Sequence, residues 1–183
     1  MKFSCALDTL FVRCLMPPCA SKEEYEQRWA VFYCGEPKAR SFGWKIEIAA
    51  SMERHPKLLW FNVAPGSVHD GHLAALPNGF FSHLIPGETV LTDGASTYLS
   101  SPFCVAPPHK GMNSYVEELD KVELSLQRNV ERVNKLVEDW KILHDVFRMS
   151  PAQDLFWAKC TAVSSAVCKL ISIDQLLSAG EKY

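Results

Sequence analysis

Three carboxylates lie in segments that could bring them together, although they are far apart along the chain. Asp8 interrupts an apolar run rich in β-forming residues, and Asp93 follows a compact apolar run. Glu131 lies beside the apolar stripe of a predicted helix. A lone carboxylate in a buried strand is costly unless it is paired, hydrogen-bonded or metal-bound. Because oxygen ligands favour Mg²⁺ or Mn²⁺, these three residues indicate a divalent cation site.

Each carboxylate also has an ordinary interpretation that the sequence leaves open. Asp8 could cap a turn near the end of its strand, and Asp93-Gly94 is a common turn pair. Glu131 and Lys135 could form an exposed i,i+4 pair, which contributes only a few tenths of a kcal/mol. The cation site is therefore predicted from the coincidence of all three residues.

The hydrophobic pattern predicts the strands that would carry the aspartates. In the segment Trp44 to Ile48 apolar residues alternate with Lys45 and Glu47, which predicts a half-buried strand with both charges on its exposed side. A short helix is predicted to open at His69-Asp70, where Asp70 is a suitable N-cap. The other predicted strands are Phe3 to Val12, Leu58 to Val63, Thr89 to Thr92 and the short Phe103 to Ala106.

Two long helices are predicted in the last third of the chain. The first spans Arg128 to Arg148, because apolar residues recur at three- and four-residue steps. The second begins at Ala152 after Ser150-Pro151 and ends near Leu177. The apolar stripe of the first helix comprises Val130, Val133, Val137, Trp140 and Phe147, widened by Leu136 and Leu143; that of the second comprises Leu155, Phe156, Ala162, Val163 and Val167.

Length and composition suit a single domain over residues 1–183, with residues 150–183 as a helical extension. The apolar runs are too short for a transmembrane helix and no signal peptide is expected. Seven cysteines without a secretory signal indicate a reducing compartment and mostly buried thiols. The net charge of −2 argues against a protein that binds nucleic acid on its own. If the chain binds DNA, we expect the binding to come from a local cluster of basic residues, from another segment or from a partner.

The predicted order is three antiparallel strands, a helix, parallel strands and then helices. This order resembles a ribonuclease H-like fold, an α/β architecture with a mixed central sheet flanked by helices. In that layout Asp8 and Asp93 lie on adjacent central strands, and the helix of Glu131 packs across them. Three converging carboxylates would hold two cations about 3.5–4 Å apart, the arrangement used for in-line displacement at phosphodiesters.

From about Cys5 to Ile171 the sequence also resembles the DDE superfamily endonucleases, in particular Harbinger-type transposases. The resemblance implies a nuclear DNA endonuclease, acting on transposon ends or genomic DNA with two Mg²⁺ or Mn²⁺ ions. It also implies that Asp8, Asp93 and Glu131 are both the catalytic residues and the metal ligands, with Asp70 as a second-tier ligand. The matching segments are CALDTLFV around Asp8, Tyr33-Cys34-Gly35 followed by GWKIEI, PGSVHDGHL around Asp70, VLTDGASTY around Asp93 and RNVERVNKLVEDWKIL around Glu131.

The sequence departs from that family at several positions. Asn134 and Glu138 lie near places where the family usually has a glycine and then a lysine that faces DNA. No helix-turn-helix precedes Asp8, so the sequence is expected to be a fragment, a truncated gene copy, or a domesticated remnant that borrows DNA binding from a partner protein. The basic residues predicted to contact DNA are Lys38, Arg40, Lys45, Arg128, Arg132 and Lys135.

Two other functions remain open from the sequence. The acidic balance and the departures favour a catalytically inactive, transposase-derived protein-interaction module. The adjacent pair His69-Asp70 is also found in metal-dependent phosphohydrolases, but those require an all-helical scaffold with further histidines. Here predicted strands flank the pair.

Overall fold

The computed structural model describes residues 5–16, 21–24, 26, 29–36, 39–92, 104–105, 128–149, 151 and 154–180. These residues form strands and helices of very different length, with short 3-10 turns at Ala30–Phe32 and Phe80–His83. The strands are β1 (Cys5–Arg13), β2 (Tyr33–Cys34), β3 (Ser41–Ser51), β4 (Leu58–Pro65), β5 (Val90–Thr92) and β6 (Cys104–Val105). The helices are α1 (Lys22–Glu24), α2 (Asp70–Leu73), α3 (residues 128–138), α4 (Lys141–His144) and α5 (Phe156–Gly180).

The six strands form a mixed sheet with the order β2-β3-β1-β5-β6, and β4 pairs with β3. β2 and β3 are antiparallel, whereas β1 pairs with β5 in parallel and β5 with β6 in parallel. In the β1–β5 register Cys5 lies opposite Val90 and Leu7 opposite Thr92. The predicted class, an α/β chain with a mixed sheet and helices, is confirmed.

Strand β3 is buried on both faces, so the prediction of a half-buried strand is wrong. Lys45 and Glu47 are each only 1% exposed, and Trp44, Ile46 and Ile48 are fully buried. β3 lies inside the sheet between β2 and β1. The polar side of the alternation is therefore covered as well, with Lys45 paired to Glu36, so the alternation in this segment did not mark solvent exposure.

The predicted helix from Arg128 to Arg148 is interrupted. Helix α3 ends at residue 138, and Trp140 has an extended backbone before α4 begins. The stripe of Val130, Val133 and Val137 is buried as predicted, but Trp140 is 40% exposed. Further along, Phe147 cannot be helical because its backbone pairs with the end of β1, where Phe147 N–H donates to the carbonyl of Arg13 at 2.8 Å.

Helix α5 begins at Phe156, four residues later than predicted. Leu155 has φ +58° and is 71% exposed, so its assignment to the apolar face is wrong, and Ala162 is exposed as well. Phe156 and Val167 are buried as predicted. The observed buried face comprises Phe156, Cys160, Ser164, Val167, Cys168 and Ile171.

By length and composition, Phe156–Ser178 could cross a membrane, which the sequence analysis did not expect. In this structure the same helix packs on the protein. The indole N–H of Trp44 donates to Ser164 Oγ at 3.0 Å, and both residues are fully buried. The ring of Phe156 contacts those of Trp44 and Phe32 edge to face.

The chain divides into two compact units, each built from several segments. One comprises Met1–Asp8, Glu47–Asn62 and Asp70–Lys135, and the other Thr9–Ile46, Val63–His69 and Leu136–Tyr183. The core of the first unit contains Cys5, Leu7, Ala49, Ala74, Phe80 and Val90, with Trp60, Phe81 and Leu84 packed against it.

The described cysteines are free and buried thiols, as predicted. Burial raises the pKa of four of them to about 12. A thiol with such a pKa is almost fully protonated near neutral pH and therefore a poor nucleophile or metal ligand. The four are Cys5, Cys14, Cys160 and Cys168.

Gly43 marks a close approach of strands β3 and β1 and gives a first testable prediction. A methyl group at this position would collide with the carbonyl oxygen of Val12 and lie 2.8 Å from Phe11 Cζ. We expect Gly43→Ala to lower the free energy of unfolding by ~1–3 kcal/mol or more, as overpacked cores do. Urea denaturation followed by tryptophan fluorescence measures this change.

Gly35→Ala is the matched control, because a methyl group there has no neighbour within 4 Å among the described residues. This variant should unfold within ~0.5 kcal/mol of the native chain. Equal stability of the two variants would contradict the close packing of β3 on β1.

Candidate functional site

Asp8 occupies the middle of β1 and is half-buried. Its Oδ2 atom accepts a hydrogen bond from Asn134 Nδ2 at 2.7 Å. Residues 8 and 134 are 126 positions apart and belong to the same compact unit. The first predicted carboxylate is therefore joined to the helix that carries the third.

Helix α3 is held in place from two sides. Its valines at positions 130, 133 and 137 are buried, which fixes the rotation of the helix. Asn129, in the described part of the helix, donates from Nδ2 to the carbonyl oxygen of Glu53 at 3.1 Å. With this rotation Asn134 is half-buried next to Asp8, and Glu131, one turn earlier, is exposed.

Asp93, the second predicted carboxylate, lies outside the described residues. The residue before it, Thr92, ends β5 and is buried opposite Leu7. Lys38, which was predicted to contact DNA, also lies outside the described residues. The convergence of Asp8, Asp93 and Glu131 and the contact of Lys38 with DNA therefore remain predictions.

A pair of carboxylates that the sequence analysis did not connect lies in the same unit. Glu47 in β3 is buried, and the side chain of Asp70, at the start of α2, is close enough to act on it electrostatically. Burial, and to a smaller extent the Asp70 carboxylate, raises the pKa of Glu47 from 4.5 to about 8. Glu47 Oε2 and Asp70 Oδ1 are both buried atoms.

Glu47 and Asn134 are the site residues that sequence reasoning missed, and each left a weak signal. The run Ile48-Ala49-Ala50 after Glu47 is continuously apolar, which is typical of a strand covered on both faces. Asn134 lies three residues after Glu131, so the two share a flank of the helix. Neither signal identifies the partner.

The predicted basic residues are placed differently from one another. Lys45 is buried, and its ammonium donates to Glu36 Oε1 at 2.6 Å, so it belongs to an internal ion pair. The other described members of the set are exposed: Arg40, Arg128, Arg132 and Lys135.

The donor atoms near Asp8 suit a hard cation, although no complete metal site is present in the described part of the chain. There, no group of three or more His, Cys, Asp or Glu residues is close enough to hold a metal ion. Asn134 Oδ1 is nevertheless buried and accepts no hydrogen bond from any described residue. A carboxylate and an unsatisfied amide oxygen are ligand types that Mg²⁺ and Mn²⁺ accept.

Comparison of the chain with protein-family models, curated proteins and solved structures finds no match. The function therefore has to be inferred from the residues of the site.

The raised pKa of Glu47 gives a prediction about stability. A carboxyl whose pKa is higher in the folded state stabilises the fold fully below its unfolded pKa, and this stabilisation is lost as the pH rises through about 8. Glutamine is neutral throughout. In metal-free buffer the free energy of unfolding of Glu47→Gln should therefore rise relative to that of the native chain between about pH 4.5 and pH 8. The rise is at most ~5 kcal/mol, because each unit of pKa shift corresponds to ~1.4 kcal/mol.

Urea midpoints of the two proteins at several pH values measure this rise. Glu53→Gln is the control, because the Glu53 side chain is 62% exposed and its pair with Lys57 at 3.6 Å lies at the surface. This control should change stability by less than ~1 kcal/mol at any pH. A pH dependence identical in Glu47→Gln and the native chain would contradict the prediction.

Proposed function

We propose that this chain is a divalent-metal-dependent DNA endonuclease of the DDE transposase type, with a ribonuclease H-like arrangement of its sheet and helices. Asp8, Asp93 and Glu131 are its catalytic residues and metal ligands. The observation that carries the proposal is the parallel pairing of β1 with β5, in which Leu7 lies opposite Thr92. Asp8 and Asp93 are the residues that directly follow this pair.

Covalent geometry limits how far apart these two aspartates can be. Paired strands are ~4.8 Å apart and consecutive Cα atoms ~3.8 Å apart, so in the proposed site the Cα atoms of Asp8 and Asp93 would lie within ~12 Å of each other. If the register continues by one residue, they are direct neighbours on one face of the sheet. Asp93 directly follows β5 in the sequence, and the carboxyl ends of parallel strands are where open α/β sheets bind their ligands.

Helix α3 supports the assignment of Glu131 to the same site. Asn134 contacts Asp8, and Glu131 precedes it by three residues, which is ~4.5 Å along the helix axis. Glu131 is exposed on this turn, so its carboxylate is accessible to a cation or a phosphate group. Asp70 remains a second-tier ligand. Its carboxylate is close enough to the buried Glu47 to raise the pKa of that carboxyl.

The roles of the residues follow from these positions. Two bound Mg²⁺ or Mn²⁺ ions would supply activation of the attacking water and stabilisation of the leaving 3′-oxygen. Asp8 and Asp93 would hold them from the sheet and Glu131 from the helix. Asn134 fixes one oxygen of Asp8 by a hydrogen bond and so orients the carboxylate.

Cleavage of supercoiled plasmid and of transposon-end DNA with Mn²⁺ tests the proposal. We expect nicked and linear products from the native chain and a loss of at least ~10²-fold in rate for Asp8→Asn, Asp93→Asn and Glu131→Gln, because each removes a charged ligand. Asp154→Asn, at an exposed position outside the site, is the control and should cleave normally. Cleavage that persists in Asp93→Asn, or a native chain that neither cleaves DNA nor binds Mn²⁺, would contradict the proposal.

The exposed arginines of α3 predict how DNA is held. Each cation that neutralises a phosphate contributes about −0.9 to the slope of log K against log salt concentration. Replacing both Arg128 and Arg132 by alanine should weaken binding to all DNA sequences and reduce the steepness of this slope by ~2. Fluorescence anisotropy at several salt concentrations measures it, with Lys169→Ala in α5, exposed and outside the predicted set, as the control. An unchanged slope in the double variant would exclude these contacts.

The net charge of −2 is small for a protein that binds DNA alone. The proposal therefore includes a separate DNA-binding partner protein and action in the nucleus. Fluorescence anisotropy measured with this chain alone gives its own affinity for DNA, which the partner protein would increase.

A second candidate is a catalytically inactive, transposase-derived interaction module. The hydrogen bond from Asn134 to Asp8 favours it, because it satisfies an oxygen of Asp8 without a metal ion. Thermal unfolding with Mn²⁺ separates the two functions. A rise in Tm that Glu131→Gln abolishes supports the enzyme, and no rise in either protein supports the module.

A further inference from the structure

We infer that Asn134 is an additional metal ligand, whose amide changes from a hydrogen-bond donor to Asp8 into an oxygen ligand of the cation that Asp8 holds. This inference rests on the proposed metal-dependent function. It assigns to Asn134 a role beyond orienting Asp8, and it adds a neutral ligand to the three predicted carboxylates.

The observation behind it is the unequal state of the two ends of the Asn134 amide. Nδ2 donates to Asp8 Oδ2 at 2.7 Å. Oδ1 is buried and accepts no hydrogen bond from the part of the chain that the structure describes. A buried carbonyl oxygen left without a donor costs ~1–3 kcal/mol. In this orientation the amide nitrogen is hydrogen-bonded to Asp8, whereas the amide oxygen of the same side chain is left unsatisfied by the described residues.

A half-turn of the amide exchanges these two ends. The oxygen and nitrogen atoms are nearly equal in size, so the exchange would place Oδ1 beside Asp8 Oδ2 without moving the helix. Two oxygens this close repel each other unless a cation lies between them. Asp8 and Asn134 would then present two oxygen ligands to Mg²⁺ or Mn²⁺, from side-chain atoms that now lie 2.7 Å apart.

The position of Asn134 also indicates why a second ligand from helix α3, besides Glu131, would be useful to the metal site. Asn134 is half-buried against Asp8, whereas Glu131 is exposed one turn earlier. A neutral ligand adds no further negative charge near Asp8. The helix would then contribute a fixed inner ligand in Asn134 and an accessible carboxylate in Glu131.

Mn²⁺ binding by isothermal titration calorimetry, without DNA, tests the inference. Asn134→Leu has a similar volume but no ligand atom, and we expect it to raise the Kd for Mn²⁺ about tenfold or more. Asn134→Asp keeps an oxygen ligand and adds a charge, so it should bind Mn²⁺ at least as tightly as the native chain. Without metal it should have a lower Tm, because two carboxylates then face each other.

Asn129→Leu is the matched control on the same helix. Asn129 is buried and donates to a backbone carbonyl of Glu53, so its loss should lower stability and leave the Kd for Mn²⁺ unchanged. A purely structural role of Asn134 would give Asn134→Leu this same behaviour. If Asn134→Leu does not fold, Asn134→Asp decides: loss of Mn²⁺ binding in it overturns the inference, and retained or tighter binding supports it.

The outcomes also separate this inference from the proposed function. Native Mn²⁺ affinity in Asn134→Leu, together with loss of binding in Asp8→Asn, overturns the role of Asn134 and leaves the proposed nuclease intact. Absence of Mn²⁺ binding in the native chain overturns both.

Discussion

The parallel pairing of β1 with β5 is the constraint on which the site depends. β5 has only three residues, all buried, and each lies opposite a residue of β1 from Cys5 to Leu7. Parallel strands need a crossover connection, and the chain between β1 and β5 supplies it with the rest of the sheet and helix α2. Asp8 is the next residue of β1 after Leu7, and Asp93 is the next residue of the sequence after β5.

The interior of the sheet carries charges that a purely structural strand would avoid. Lys45 and Glu47 are almost completely buried in β3, two residues apart. Lys45 is compensated by Glu36 at 2.6 Å. Glu47 has no such cation among the described residues, and burial together with Asp70 raises its pKa to about 8. Near neutral pH this carboxyl is thus mainly protonated, which reduces the cost of its burial.

Helix α3 joins these features because two of its asparagines bond to other segments of the first compact unit. Asn129 binds the carbonyl of Glu53, in the turn after β3, and Asn134 binds Asp8 in β1. These two hydrogen bonds set the rotation of the helix about its axis and its position along that axis. The buried valines provide the apolar contact area. Glu131 is exposed on this same helix, whose position is fixed at two points.

The sequence by itself indicated the strands other than β2, although not all of their first residues, and the apolar face of α3. Periodicity is local, so Val130, Val133 and Val137 could be assigned to the core without knowledge of their neighbours. The tertiary structure alone decided that Lys45 and Glu47 are buried, that the predicted helix from Arg128 to Arg148 does not continue to Phe147, and that Asn134 bonds to Asp8. Each depends on a segment distant in the chain: the strands beside β3, the pairing of Phe147 with Arg13, or the approach of α3 to β1. Local patterns carry no information on such contacts, because burial and hydrogen bonding are set by whichever segment packs against a residue.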